Sequence, residues 1–566
     1  MDETETQTAR TKFTITGEGA LVLLILAGAL FLRLYGIDYG LPFSYHVDEK
    51  VYSGAALNLG RAKIGPQTNP TGFTNILFLE YAAYFVLGKI SGLFPTVSSY
   101  EQLYRTDPSS FLLLARITSA ILGTLNVLVI YLIGSRVFGK FAGLLSALFL
   151  AFMFLHVRDS HYAVPDSMVT FLISLSLWLC VLSVQKGSLA YQYLAAAAGG
   201  YAIATKWNVF PILLPLALTH WVNHCNRSSP QNQPGQWGIK PAILTILALA
   251  AAFILGAFQL LIKPGLYLEY IQKELSAGAQ GGFYYWQVDT IPGWLFYLKT
   301  LWIGAGFLLT VLSVVAVFYY LVLVIKSQRV NLPAILLSFP LAYFFIMGAS
   351  RHYFARYVLP LLPFAALFSA ALLSELYARL ERRQPRAGLV LAALLALAVI
   401  LPALAASLRS DTLLARTDTR NTAKAWIEAN IPAGARIAMD WPVHAPYLAT
   451  PDEHVPASTK EYVVTSFMDG TGLFDHPLTW YQERGYQYLI ATSFIYQIPL
   501  VDQEKNAARL EFYRQLDRQL ELVKEFKPNQ GPSEPPFVFD EIYGPLVSLW
   551  QRERPGPTIK IYRLGE

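Results

Sequence analysis

Apolar runs long enough to cross a lipid bilayer recur from Ala20 to Ser407, and they leave few folds open to this chain. A spanning helix needs about 20 mostly apolar residues, and a helix satisfies its own backbone hydrogen bonds where no water can. Spans are expected near 18–35, 111–134, 141–157, 167–185, 190–205, 207–222, 241–262, 294–325, 332–349, 355–378 and 388–408, about eleven in all. The composition agrees: 54% of the 566 residues are hydrophobic and only 14% charged, where soluble domains carry about 25% charged residues. The formal charge of +6 does not point to nucleic acid, because the basic residues sit in short loops between spans, as membrane topology requires. Cys180 lies in an apolar run and Cys225 in a polar loop, which points to neither a disulfide nor a thiolate metal site. The first apolar run lacks a small-residue cleavage site after it and reads as a retained span rather than a signal peptide.

Segment 73–93 is long enough to span, yet it carries Glu80 and Lys89, each costing about 2.5–3.5 kcal/mol at the bilayer centre. A helix lying along the membrane surface suits it better. With a cytoplasmic N-terminus, the inner loops then hold Arg136 and Lys140; Lys186; Arg227 and Lys240; Lys326 and Arg329; and Arg379, Arg382, Arg383 and Arg386. Every one of these loops obeys the positive-inside rule. A large first loop, 36–110, and the chain after 409 fall on the outer side of the cytoplasmic membrane. No spanning run follows Leu408, and charged residues return. Residues 418–430 read as an amphipathic helix, 431–440 as a turn leading into a strand, 486–492 and 559–564 as strands, and 503–524 as a charged helix. The expectation is a polytopic α-helical membrane domain, 1–408, followed by a soluble α/β domain, 409–566.

Two acidic clusters lie on the outer side. The first loop opens with Asp38 and continues through His46, Asp48, Glu49 and Lys50; a carboxylate there has the chemistry of a general base that takes a proton from an attacking hydroxyl or amine. After the third span come His156, Arg158, Asp159, His161, Tyr162 and Asp166, which read equally as a polar turn with Asp166 capping the next helix. Basic residues also occur on that side, against the charge bias: Lys206 between two closely joined runs, and Arg351, His352, Arg356 and Tyr357 between two spans. They are either headgroup anchors or binders of a lipid phosphate, for which arginine supplies paired donors and lysine a compact charge. His46, His156 and His161 with Asp48 or Asp166 have the right atoms for a divalent metal, but their spacing matches no metal motif. No cofactor is therefore assigned. Asp440, Trp441 and His444 read as packing and turn residues.

At these residues the chain resembles the GT-C superfamily of membrane glycosyltransferases, in particular the protein O-mannosyltransferase and aminoarabinose-transferase branch. The matching pieces are Arg33, HVDE at 46–49, RDSHYAVPDSMVTF at 158–171, GYAIATKWN at 200–208 and RHYFARYVLPLLPF at 351–364. WIEANIPAGARIAMD at 426–440 and GPTIKIYRL at 556–564 extend the likeness to the C-terminus. The resemblance implies eleven to thirteen spans, surface helices in the first outer loop, and inverting transfer from a polyprenyl-phosphate sugar. It implies Asp48 as the base, Glu49 as its support or an acceptor contact, and Asp166 as a further acid of the cavity. Lys206 and Arg356 become contacts to the donor phosphate, with Arg351 next in line and His46, Asp159, His161 and Tyr357 as further cavity residues. One departure stands out: relatives often carry a basic or His-Pro element before the surface helix, where this chain has Thr71-Gly72-Phe73-Thr74-Asn75.

The resulting expectation is a membrane glycosyltransferase of the cell envelope, with a polyprenyl-phosphate sugar as donor and a lipid, glycan or protein as acceptor. Its rivals are a transporter or flippase of lipid-linked saccharide and a non-catalytic assembly protein for envelope polysaccharide. A transporter site more often sits near the midplane on broken helices, and no inverted repeat is evident.

Overall fold

The computed structural model describes residues 17–65, 71–225, 237–281, 291–467, 472–501, 503–504 and 506–565. Residues 1–16 and Arg227 lie outside these. Among the described residues nine helices are long and apolar enough to cross a membrane, so the chain is a multi-pass membrane protein with a C-terminal sheet domain.

Several expected spans are interrupted. The stretch 294–325 is not one helix but two, Gly293–Ala305 and Phe307–Ser327. Thirty-two helical residues would extend about 48 Å, well beyond a hydrocarbon core of about 30 Å, and Gly306 breaks the run at φ +89°. The third span divides into Lys140–Phe152 and Phe154–Asp159. A break orphans carbonyls that the next turn would have used, and side chains take them here. Arg33 donates to the carbonyls of Ala151 (3.2 Å) and Leu150 (3.5 Å), and Ser407 donates to that of Phe152 (2.9 Å). Arg33 also bonds His156 Nδ1 at 2.8 Å, which ties the first span to the turn that follows. Leu189–Thr205 ends at Lys206, and a 3-10 segment, Trp207–Ile212, leads into Leu213–Cys225.

The helix Gly72–Ile90 has the length of a span and is one of the nine. At its start, Thr71 and Asn75 donate to the Gly256 carbonyl at 2.9 and 2.7 Å, and the Tyr201 hydroxyl donates to the Gly72 carbonyl at 3.1 Å. Farther along, Tyr81 donates to the carbonyl of Phe111, near the start of Ser109–Val137, at 3.0 Å. Tyr201, Gly256 and Phe111 stand near the ends of their own helices, so Gly72–Ile90 is fastened to three neighbours at one end of the bundle, and farther in Glu80 accepts from the Thr118 hydroxyl. Thr71 and Asn75 thus anchor the helix, which gives the departure at 71–75 a structural role.

Basic loop residues gather at the opposite end: Lys140 pairs with Glu18 at 2.6 Å, Arg136 bonds Gln185 at 3.5 Å, and Arg379 bonds Glu375 at 2.7 Å.

The last span, Pro385–Leu414, continues six residues past the boundary at 408 before Asp418 caps the helix Thr419–Asn430 by accepting from the Arg420 N–H at 2.8 Å. The soluble domain holds five strands, β1 (Arg436–Met439), β2 (Val463–Ser466), β3 (Tyr488–Thr492), β4 (Glu521–Phe526) and β5 (Ile559–Arg563). Their order is β2-β1-β3-β5-β4, with β2, β1 and β3 parallel and β5 antiparallel to both neighbours. The charged helix expected over 503–524 is shorter, Ala507–Gln519, because 521–526 pairs with β5 as an edge strand; β2 was not legible at all.

Candidate active site

The helix breaks and the first loop converge at the end of the bundle that carries Gly72–Ile90. Glu49 fixes the loop. Its carboxylate takes both arms of Arg116 at 2.8 Å, the Ala163 N–H at 3.0 Å and the Ser44 hydroxyl at 3.1 Å. Arg116 also donates to the carbonyls of Ile37 and Tyr39, each at 2.9 Å, and both members of the pair are fully buried. Burial pushes the Glu49 carboxyl up, but Arg116 and its other donors hold it below the usual range. Glu49 is therefore a brace that fastens the loop to the second span, with no side left open to a substrate.

Fixing Glu49 aims its neighbour. Asp48 extends toward Arg356, and Oδ2 meets the guanidinium at 2.6 Å. Burial raises the Asp48 carboxyl, yet Arg356, His46 and Lys206 together hold it below its ordinary value, so it is a carboxylate at neutral pH. His46 turns Nδ1 toward the Asp48 N–H at 3.2 Å and packs against Tyr162 and Tyr543. Burial drives its imidazole down to about 4, which keeps it neutral. Asp166, the first residue of the helix Asp166–Lys186, pairs with Lys206 at 2.7 Å instead of capping its own helix. Arg356 lies in a 3-10 turn, Ala355–Leu361, whose first N–H donates to Asp540 of the soluble domain at 2.7 Å. The Arg356 guanidinium stacks on Phe354 at 4.9 Å and Tyr543 at 4.4 Å, and the Lys206 ammonium sits 4.4 Å from the Tyr357 ring centre.

Two cavities meet here. The larger, about 710 Å³, lies between the membrane domain and the sheet. Asp48, Lys50, Arg356 and Tyr543 line it from one side, and Met439, Trp441 and Ser466 from the other. Met439 and Ser466 end β1 and β2, so the cavity opens beyond the carboxyl ends of parallel strands, where α/β sheets commonly bind ligands. The smaller, about 280 Å³, is lined by Lys206, Trp207, Phe210, Leu275 and Ile346. Phe210, Leu275 and Ile346 are also exposed on the flank of the molecule, so this cavity adjoins an apolar face.

The family described as dolichyl-phosphate-mannose-protein mannosyltransferase matches residues 112–255. Among solved structures, the Archaeoglobus fulgidus oligosaccharyltransferase in its apo form aligns at TM-score 0.51 and 13% identity, over 86% of this chain and 71% of its own. ArnT from Cupriavidus metallidurans bound to undecaprenyl phosphate aligns at TM-score 0.50 and 14% identity, over 96% of this chain and 98% of its own. The chain has the GT-C fold. No curated protein matches the sequence.

Within this GT-C fold, Asp48, Arg356 and Tyr357 line the larger cavity, and Lys206 and Tyr357 the smaller. Other candidates are placed elsewhere. Arg351 is exposed and lines neither cavity, its N–H donating to the Gly278 carbonyl. Asp159 is buried against Arg158 at 3.0 Å. The His161 ring is held between the carbonyls of Val157 and Tyr35, and His156 between Arg33 and Asn126. With His46 turned to the backbone, the three histidines do not meet at one point. Among the described residues no cluster of three His, Cys, Asp or Glu is placed to hold a metal ion. Asp440 accepts from the N–H groups of Leu473 and Thr492 and from the Tyr513 hydroxyl, as a packing residue should, but Trp441 faces the cavity. Sequence reasoning missed Arg116, Glu274 and Tyr543. Arg116 had a signal, since a lone arginine in an apolar run needs a buried partner.

Proposed function

We propose that this protein is an inverting glycosyltransferase that moves a sugar from a polyprenyl-phosphate donor to an acceptor at the outer face of the cytoplasmic membrane. The observation that carries this reading is the pairing of Asp48 with Arg356 beside that of Asp166 with Lys206, at the junction of one cavity that adjoins an apolar flank and another that faces the soluble domain. The donor lipid lies along the apolar flank and places its phosphate by Lys206 and Arg356. ArnT, which shares the fold, is known with undecaprenyl phosphate bound, and a lipid phosphate of that kind suits these two cations.

In the transfer, the bond between the anomeric carbon and the phosphate oxygen breaks, and a bond from that carbon to the acceptor oxygen or nitrogen forms on the opposite face. The electron pair leaves with the polyprenyl phosphate, whose growing charge Lys206 and Arg356 stabilise. The acceptor proton passes to Asp48. Paired with Arg356, Asp48 is a weak base. A phosphate that draws Arg356 away raises the Asp48 pKa and strengthens the base when donor is present.

Binding of undecaprenyl phosphate to the protein in nanodiscs tests the reading. Arginine grips phosphate with a planar fork that lysine lacks, and a charged hydrogen bond contributes about 1.5–3 kcal/mol. Arg356→Lys and Lys206→Ala are each expected to weaken binding by roughly 10- to 100-fold. The melting temperature should hold in Arg356→Lys, which keeps the charge, and fall in Lys206→Ala, which leaves the buried Asp166 without its partner. Wild-type affinity in both variants places the phosphate elsewhere. Orientation follows from the basic end of the bundle, which the positive-inside rule assigns to the cytoplasm. Reporters fused within 327–330 and after Arg386 are expected to read cytoplasm, and those after 409 the exterior. A cytoplasmic C-terminal reporter overturns the arrangement.

A further inference from the structure

We infer that Glu274 selects the sugar, by hydrogen-bonding neighbouring hydroxyls of a neutral monosaccharide held where the two cavities meet. The inference rests on the transferase reading and adds a residue and a substrate class to it. Lys206 lines only the smaller cavity, Asp48 and Arg356 only the larger, and the residues common to both are Glu274, His352 and Tyr357. The anomeric carbon of a donor is bonded to the phosphate on one side and attacked by the acceptor on the other. A phosphate bridging Lys206 in the smaller cavity and Arg356 in the larger, with an acceptor at Asp48, sets the sugar ring at the junction of the two cavities, beside the rim that these three residues form.

Of the three, Glu274 has the chemistry of a selector. It is carried on the helix Pro264–Gln280 and makes no hydrogen bond or ion pair with any described residue. The nearby cations are already engaged, Lys206 by Asp166 and Arg356 by Asp48. Burial pushes the Glu274 carboxyl up to about 7, against the pull of Lys206 and Arg356. A carboxyl poised near neutrality offers acceptor oxygens and, when protonated, a donor, which matches the mixed hydrogen bonding of adjacent sugar hydroxyls. A uronate in this position would set two acids side by side. An amino sugar would form an ion pair with Glu274 instead, and binding measurements separate that case.

The experiment compares the affinity of the protein in nanodiscs for undecaprenyl phosphate, for the same lipid phosphate carrying mannose or glucose, and for one carrying an amino pentose. Wild type is expected to bind at least one hexose-linked lipid roughly 5- to 10-fold more tightly than the bare phosphate, the yield of one or two neutral hydrogen bonds. Glu274→Ala is expected to lose that gain while keeping its affinity for the bare phosphate, and Glu274→Gln to keep part of it. A gain that survives Glu274→Ala, a gain with the amino pentose alone, or no gain with either hexose overturns the assignment of Glu274. Failure of wild type to bind any undecaprenyl phosphate overturns the transferase reading as well.

Discussion

Replacing Asp48 by Asn is expected to lower turnover by about 10²–10⁴-fold, the range that loss of a general base produces, while the protein melts at its usual temperature. The side chains of Asp48 and Arg356 are 25% and 15% exposed at the wall of a cavity. Water thus shares in solvating the guanidinium that the substitution leaves unpaired, and stability changes little. The affinity for donor carries the sharper test. In wild type, Arg356 must give up Asp48 to take a phosphate. In Asp48→Asn the guanidinium is already released, so undecaprenyl phosphate should bind at least as tightly as before. A variant that binds donor normally or better but does not turn over is what a base paired with the phosphate's own ligand predicts. Wild-type turnover in purified Asp48→Asn protein removes Asp48 from the reaction, and a large loss of donor affinity makes it a binding residue.

The polar residues that meet at the two cavities were legible for a physical reason: each is expensive in a membrane, so each needed a partner. Asp48, Asp166, Lys206 and Arg356 stood out against the apolar background and the charge bias of the loops, and the fold brings them together at one end of the bundle. Pairing was harder to read. Nothing local in the sequence says that Arg356 meets an aspartate 308 positions away, or that Glu49, next to the candidate base, is spent on Arg116. Span interruptions were half legible. Gly306 offers a reason in its own backbone, whereas the break at Met153 depends on Arg33 and Ser407 arriving from other helices. Strand β2 escaped because VVTS is too short to show a period. The helix read over 503–524 was overextended because edge-strand pairing, a long-range contact, claims its last turns.

Glu274 shows the other limit. Its helix carries an ordinary mixture of apolar and charged residues, and only the junction of two cavities marks it out. Tyr543 is similar: it reaches Arg356 and His46 from the soluble domain, so that domain forms part of the site wall.

Arg116→Met is expected to destabilise the protein far more than Asp48→Asn does. The substitution roughly preserves volume but strips Glu49 of a partner in a place neither side chain shares with solvent. Removing one member of a buried ion pair typically costs about 3–5 kcal/mol, because the remaining charge stays buried without compensation. Replacing both, as in Glu49→Leu with Arg116→Met, removes the stranded charge and should recover part of the loss. Recovery should stay incomplete, because Glu49 also accepts the Ala163 N–H and the Ser44 hydroxyl. An orphaned buried donor costs about 1–3 kcal/mol. Melting temperatures in detergent are therefore expected to rank wild type first, the double variant second and Arg116→Met last. Activity should follow the same order, since the loop that aims Asp48 loosens with the brace. A single variant as stable as wild type would show that the pair does not hold the loop. A double variant that regains full stability yet stays inactive would move Glu49 from the brace to the chemistry.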